Sequence, residues 1–468
     1  VANDPGIGSA LDAETLGALQ TLLGDRATTS LALRTRHGQD ESWHAPAPPD
    51  AVVFPVSTEE VQAIVRICAK SRTPMIPFGV GTSLEGHVAA LHGGVCIDLG
   101  RMNRVLEVNA ADMDARVQAG VTRKQLNASI KDTGLFFPVD PGADATLGGM
   151  TATRASGTTA VRYGTMRENV LGLTVVLADG RVVRTGTRAR KSSAGYDLTR
   201  IFVGSEGTLG VITEVAVRLH GQPQAVSAAV CAFPGLQSAV DAVILTIQSG
   251  IPVARIELLD EVQIRGINLH SKLGLAEAPT LFFEFHGTDA SVAEQAQMVG
   301  EIAHDHGGAG FTWATLPEER SRLWQARHDA LYGGLALRPG ARAYITDVCV
   351  PISRLAECVV ETRREIDASG MIAPIVGHVG DGNFHVLILV MPDDAAEIHR
   401  AEALNERIVR RALTMGGTCT GEHGVGYGKL GFLPAEHGEA HTLMGTIKAA
   451  LDPLGLMNPG KIVAAEPA

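Results

Sequence analysis

The chain has 468 residues, room for roughly two to three domains, and its 40 basic against 51 acidic side chains give a formal charge of −11. That balance excludes a sequence-independent nucleic-acid binder, which needs a basic stripe, and an aromatic share of 4% leaves little base-stacking surface. Glycine is the outlier at 53 residues, well above a usual share of about 7%; without a G-X-Y period, these glycines must serve turns or close backbone approach to something.

The elements read as follows in chain order. Val1 to Gly8 has neither a basic n-region nor an apolar h-region, so no leader is expected there. An amphipathic helix is predicted over 10–24, then a Pro-rich connector at Pro46, Pro48 and Pro49. A strand near Val52 leads into a helix from Ser57 to about Ser71, opened by a capping box. Strands follow at 74–78, 95–99, 105–108 and 115–119, then a helix over 122–133 capped by Thr122. From 141 to 215 glycine loops separate strands at 173–177, 181–184 and 211–219, with Asp179-Gly180 as a hairpin turn. After a linker near Gly221 the texture changes to helices at 235–249, 290–306, 317–332, 353–368 and 393–415. Strands at 281–286, 343–350 and 373–390 lie between them, an α+β pattern. The tail from 416 is again glycine-rich, with a helix near 440–451.

No apolar run reaches 18 residues, so no spanning helix is expected. Six cysteines without a CxxC point to buried thiols in a reducing compartment. A cytoplasmic protein is expected, with at most a peripheral contact at the inner membrane face.

Four loops could bear chemistry. The first, Gly79-Val-Gly81-Thr82-Ser83-Leu84-Glu-Gly86, follows an apolar strand. Its amides could cradle an anion, or it could be an ordinary turn cluster. It is neither a Walker A loop nor a GxGxxG fingerprint. The others contain Pro141, Gly142, Ala145, Thr146, Gly148 and Gly149; then Ser156, Gly157, Tyr163 and Gly164; then Glu206, Gly210 and Ile212. Together they suggest a long phosphate-bearing cofactor threaded along backbone.

These loops resemble the FAD-binding domain of the p-cresol methylhydroxylase (PCMH) / vanillyl-alcohol oxidase superfamily, and the second half resembles the C-terminal domain of FAD-linked oxidases. The resemblance implies an α+β protein with a two-domain PCMH-type FAD-binding fold. Residues 1–45 form an N-terminal helix and connector, 46–221 the FAD domain, and 222–415 a substrate or cap domain. Residues 416–468 return to the FAD domain, with Asn458 reaching the flavin. His87, just after the first loop, lies where some members tether FAD covalently; here the flavin is read as noncovalent.

Ile375 to Ile388 reads as a hairpin turning at Asp381-Gly382, with Val379 opposite Phe384 and therefore His378 opposite His385. Two imidazoles so placed could share a metal ion, or simply stack. Glu422 and His423 sit in a glycine-rich turn, where the alternative is a solvated cap. HVGDGNFH and GEHG resemble the signature of FAD-dependent D-2-hydroxyacid dehydrogenases. That resemblance makes His378, His385 and Glu422 ligands of Zn²⁺ or Mn²⁺, and His423 the acceptor of the substrate hydroxyl proton. Arg327, by itself a solvated helical arginine, becomes the clamp for the substrate carboxylate.

The stretch around Tyr344 is similar to the D-lactate dehydrogenase (cytochrome) branch. The D-2-hydroxyglutarate branch places a lysine near Ile345 and an asparagine near Leu387; both are apolar here, which favours a short or apolar substituent at C2. The implied reaction is oxidation of a D-2-hydroxyacid to a 2-oxoacid, with hydride passing to flavin N5. Expected partners are that small acid, an acceptor such as cytochrome c, a quinone or an electron-transfer flavoprotein, and a second copy of the chain. Glycolate or D-2-hydroxyglutarate oxidation, or a carrier that merely holds flavin, are the alternatives. About half of the glycines lie in 79–100, 142–172, 195–210, 377–382 and 416–431, the windows that this reading sets against cofactor, metal and base.

Overall fold

In chain order, the first amphipathic stretch forms the helix Ala13–Leu23, capped by Asp12, whose carboxylate accepts the Thr15 N–H. A computed structural model describes residues 11–464; the Val1–Gly8 stretch read for a leader lies outside them. Ser57 caps the next long helix, Thr58–Lys70, accepting the Glu60 N–H. The expected capping box is only half made, because the Glu60 carboxylate pairs with Arg26 and accepts from Val56 N–H.

The chain divides into two compact units. One takes the residues up to Gly157, then Gly164–Gln222, and resumes at Glu422. The other takes Thr158–Tyr163 and Pro223–Gly421.

Among the described residues, the first unit has a four-stranded sheet in the order Ala27–Thr28, Ala51–Val53, Val95–Asp98, Met75–Phe78. The last three strands run parallel and are wholly apolar inward, as buried parallel strands are. A five-stranded antiparallel sheet runs Val105–Asn109, Asp114–Gln118, Val211–Arg218, Val170–Val176, Val182–Arg184. The Asp179-Gly180 turn forms as expected, with Val176 opposite Val182 and Gly180 at φ +80°. The loops of 141–215 hold more helix than their composition suggests: Leu147–Thr153, Ala160–Tyr163, Met166–Asn169 and Leu198–Phe202. Their glycine and threonine content is a poor helix signal, and they stand on caps instead: Thr146, Thr165 and Asp197 each accept a first-turn N–H.

The second unit is built on an eight-stranded sheet. Its order is Ala309–Ala314, Ala225–Ala232, Thr280–Gly287, Val253–Leu259, Ile375–Gly377, Asn383–Val390, Arg342–Ile345, with Val348–Cys349 also paired to Asn383–Val390. The strands Ala225–Ala232 and Val253–Leu259 carry no sequence forecast above. The helix expected over 317–332 breaks at Asp329 into Pro317–His328 and Ala330–Ala336.

The 375–388 hairpin forms, but in another register. Val376 faces His385 and Ile375 faces Val386. His378 lies beyond the strand end, where a 3₁₀ turn Val379–Asp381 and Gly382 at φ +82° replace the two-residue turn. The register is therefore shifted by two residues. An even shift keeps side chains on their face, and the His378 and His385 rings remain neighbours with centroids 5.4 Å apart at 82°. Among the described residues no helix is long and apolar enough to cross a membrane, and all six cysteines are free, five of them buried.

Candidate active site

In the first unit, the strand Met75–Phe78 delivers the loop holding Gly79, Gly81, Thr82, Ser83, Leu84 and Gly86. Gly81, at φ +73°, could not carry a Cβ, which would fall 2.9 Å from the Phe78 ring. Among the described residues, the backbone N–H groups of 80–86 have no hydrogen-bond partner. A run of unengaged amides after a parallel strand is a fitting cradle for a pyrophosphate. Ser83 Oγ and the His87 N–H instead tie the loop to Asp40 Oδ2, at 2.9 and 3.1 Å.

The glycines of the next loop have mixed reasons. Thr146 caps the helix that Leu147 begins, and a Cβ on Gly148 would lie 2.6 Å from the Ala119 Cβ, so helix packing on strand end demands glycine there. Gly142 meets open space. Pro141, Ala145, Gly149, Ser156, Gly157, Gly164, Gly210 and Ile212 all belong to this unit; Tyr163 falls in the other.

Glu206 is the hub of the first unit. It is buried and held at φ +53°. Its carboxylate accepts the N–H groups of Val425 (2.7 Å) and Gly426 (2.8 Å) and lies 3.2 Å from His87 Nε2. Burial alone would raise its pKa, but His87 and the two amides outweigh burial and hold it below the usual range. Burial likewise pushes His87 down, and Glu206, Asp40 and Glu85 outweigh it, so the imidazole stays raised. Asn458 Nδ2 bonds the carbonyls of His87 (3.1 Å) and Glu206 (2.7 Å). Lys461, pushed down to about 8 by burial, donates to the Ala89 carbonyl at 2.7 Å.

In the second unit, register builds the site. Glu257 faces Phe282 on one side. On the other, the Leu258–Gly377 and Leu259–Val376 pairs, continued one residue, put Glu257 opposite His378. The contact is made: His378 Nδ1 is 2.7 Å from Glu257 Oε1. Arg327, in the last turn of Pro317–His328, donates its Nε–H to the other oxygen at 2.6 Å. Glu257 is fully buried. Burial would raise its pKa, but His378 and Arg327 overcome that and keep it ionised, below the usual range.

Next along the same face, the Val348–Phe384 pairing extends to put Asp347 opposite His385, with Oδ1 3.6 Å from Nδ1. His385 Nδ1 also lies 3.2 Å from the Thr346 carbonyl. Every neighbour named for the two Nδ1 atoms is an acceptor, so both imidazoles carry a proton there, and the neutral ring has its lone pair on Nε2. That is the tautomer a metal ligand needs. Ligand atoms of His378 and His385 lie within 4.8 Å of one another, as do those of Asp347 and His385. The donor set therefore fits a divalent ion. Thr420 Oγ1 bonds Asp347 at 2.7 Å and Thr418 pairs with Cys349; the chain then reaches Glu422 and His423, the first residues of the returning segment.

Ile345 and Leu387 are direct cross-strand partners, packed in one apolar cluster with Trp324, Val376 and Ile264. A second line of polar contacts crosses this sheet. Tyr163 Oη is 2.7 Å from His286 Nδ1, His286 Nε2 is 2.8 Å from Glu284 Oε1, and Glu284 pairs with Arg255 at 3.4 Å. Burial raises the Tyr163 phenol. Sequence reasoning missed Glu257, Glu284 and His286. The available signal was weak: each sits in an apolar stretch whose strand is buried on both faces.

Residues 49–186 match the family model of the FAD binding domain, and residues 222–462 match that of the C-terminal domain of FAD linked oxidases. The chain belongs to the FAD-linked oxidases. Its relatives include a protein of Danio rerio named "Probable D-lactate dehydrogenase, mitochondrial", 54% identical over 96% of this chain and 91% of that one. Another is a "D-lactate dehydrogenase [cytochrome], mitochondrial" of Arabidopsis thaliana, 51% identical over 96% of this chain and 80% of that one. In fold, this FAD-linked oxidase is similar to a solved p-cresol methylhydroxylase with substrate bound, at TM-score 0.79 and 19% identity over 96% of each chain. The PCMH-type α+β fold expected from the loops is thus the observed one.

Proposed function

We propose that this FAD-linked oxidase is a D-2-hydroxyacid dehydrogenase whose preferred substrate is D-lactate or a similarly short or apolar acid, and whose electrons pass to a cytochrome-type acceptor. The observation that carries the reading is the single face of the second unit where Arg327 and His378 meet on Glu257, with the Ile345–Leu387 pair beside His385. The relatives named above support the same activity.

In this reading Arg327 binds the substrate carboxylate through its outer nitrogens, since its Nε is engaged by Glu257. His378, His385 and Glu422 would hold Zn²⁺ or Mn²⁺, which would supply a Lewis acid for a bound hydroxyl. His423 takes the hydroxyl proton. Ile345 and Leu387 face the C2 substituent, and a distal carboxylate there would lose its hydration without a partner. The amides of 80–86 would hold the pyrophosphate of FAD, which would supply the two-electron acceptor.

An anaerobic substrate panel tests this. D-lactate is expected to bleach the flavin faster than L-lactate, glycolate or D-2-hydroxyglutarate. Fastest bleaching by D-2-hydroxyglutarate would refute the assignment of Ile345 and Leu387, and a flavin that none of them bleaches would refute the activity.

A further inference from the structure

We propose that Glu257 is the positioning residue of this site: one buried carboxylate fixes which nitrogen of His378 meets a divalent cation and which edge of Arg327 meets a carboxylate. The inference rests on the functional reading above and adds a link between its two halves.

The geometry assigns each oxygen one task. Oε1 accepts the Nδ1–H of His378 at 2.7 Å, which leaves the ring lone pair on Nε2. Oε2 accepts the Nε–H of Arg327 at 2.6 Å, which turns the two terminal nitrogens toward a ligand as a bidentate fork. The side chain cannot drift. Glu257 lies in the interior of Val253–Leu259, between Thr280–Gly287 and Ile375–Gly377, and its side chain has no solvent exposure. A merely structural ion pair buried here could be exchanged for apolar packing at little cost. A carboxylate that must accept twice, from two groups with different ligands, has no neutral equivalent. Glutamine has the same shape but one acceptor oxygen. Glu257→Gln must therefore either lose the Arg327 bond or force the His378 proton onto Nε2.

The test uses the purified FAD-loaded protein and Mn²⁺ alone, titrated by calorimetry, with kcat and KM for D-lactate measured in parallel. Glu257→Gln is expected to weaken Mn²⁺ binding by about 10- to 100-fold, as loss of such a ligand-orienting partner does, with FAD content unchanged, and to raise KM. Glu257→Asp, which still accepts twice, should recover part of the Mn²⁺ affinity. A Glu257→Gln variant that matches the parent in both Mn²⁺ binding and KM overturns the proposal. If that variant does not fold, Arg327→Lys decides. It should raise KM for D-lactate without weakening Mn²⁺ binding, because the Glu257 charge then falls wholly to His378; weaker Mn²⁺ binding overturns the proposal. A parent protein that is bleached by D-lactate yet binds no Mn²⁺ sinks the metal reading and this inference with it. A parent that binds Mn²⁺ while Glu257→Gln matches it in both Mn²⁺ binding and KM sinks the inference alone.

Discussion

Each unit has a buried glutamate at its hub, and the two are used in opposite ways. Glu206 spends its oxygens on backbone: the N–H groups of Val425 and Gly426, more than two hundred residues away, with His87 beside them. Glu257 spends its oxygens on side chains, Arg327 and His378. Backbone donors cannot be re-aimed without moving chain, so Glu206 fastens one segment to another. Side-chain donors have ends still to offer, so Glu257 aims them. Burial and depressed pKa are alike in both; only the donors tell which carboxylate holds the fold and which one orients chemistry.

The comparison can be broken at several points. The largest effect is expected at the proposed proton acceptor. His423→Ala should lower kcat for D-lactate by roughly 10²–10⁴, the usual loss of a general base, with the melting temperature little changed; parent-like anaerobic bleaching would remove His423 from the role. Next comes the fastening glutamate. Glu206→Ala leaves the Val425 and Gly426 amides and His87 without their carboxylate, and should cost about 3–5 kcal/mol of stability. Thermal unfolding checks this; a variant that melts with the parent would make Glu206 no fastener.

A smaller effect is expected at Ile345, proposed to face the C2 substituent. Ile345→Lys should raise the kcat/KM ratio of D-2-hydroxyglutarate over D-lactate by roughly 10-fold or more, the worth of one charge-assisted hydrogen bond. An unchanged ratio would take Ile345 out of the substrate's surroundings. The smallest effect concerns Asp260, the N-cap of Glu261–Ser271, which burial raises to about 7. The folded state holds this proton more tightly than the unfolded chain, whose aspartate titrates near 3.9. Its contribution to stability is therefore greatest at low pH and declines as pH rises from about 4 to about 7. The melting temperature should fall less between pH 5 and 7.5 in Asp260→Asn than in the parent; identical slopes would remove Asp260 as a cause.

How much of this was legible in the sequence depends on what each element shows to solvent. Helices with one wet face, such as Thr58–Lys70 and Leu236–Gln248, were found to within a residue or two. The strand Val253–Leu259 was not. Val253, Ala254, Ile256, Glu257, Leu258 and Leu259 are all buried, so no two-residue alternation exists to read, and Glu257 vanished with it. The His378–His385 pair was legible as a pair but in the wrong register, because a 3₁₀ turn with glycine at its end is not distinguishable from a two-residue turn at Asp381-Gly382. The glycine loops were legible as loops, yet some of their glycines answer to packing, as Gly148 does against Ala119.

The tail carries a consequence in time. Asn458 and Lys461 supply donors to carbonyls of residues 87, 89 and 206. All of those residues leave the ribosome long before the donors do. The segments that flank the amide loop thus lack these donors until Asn458 and Lys461 have themselves been translated. If flavin capture needs these fastenings, a nascent chain arrested before Asn458 should emerge colourless.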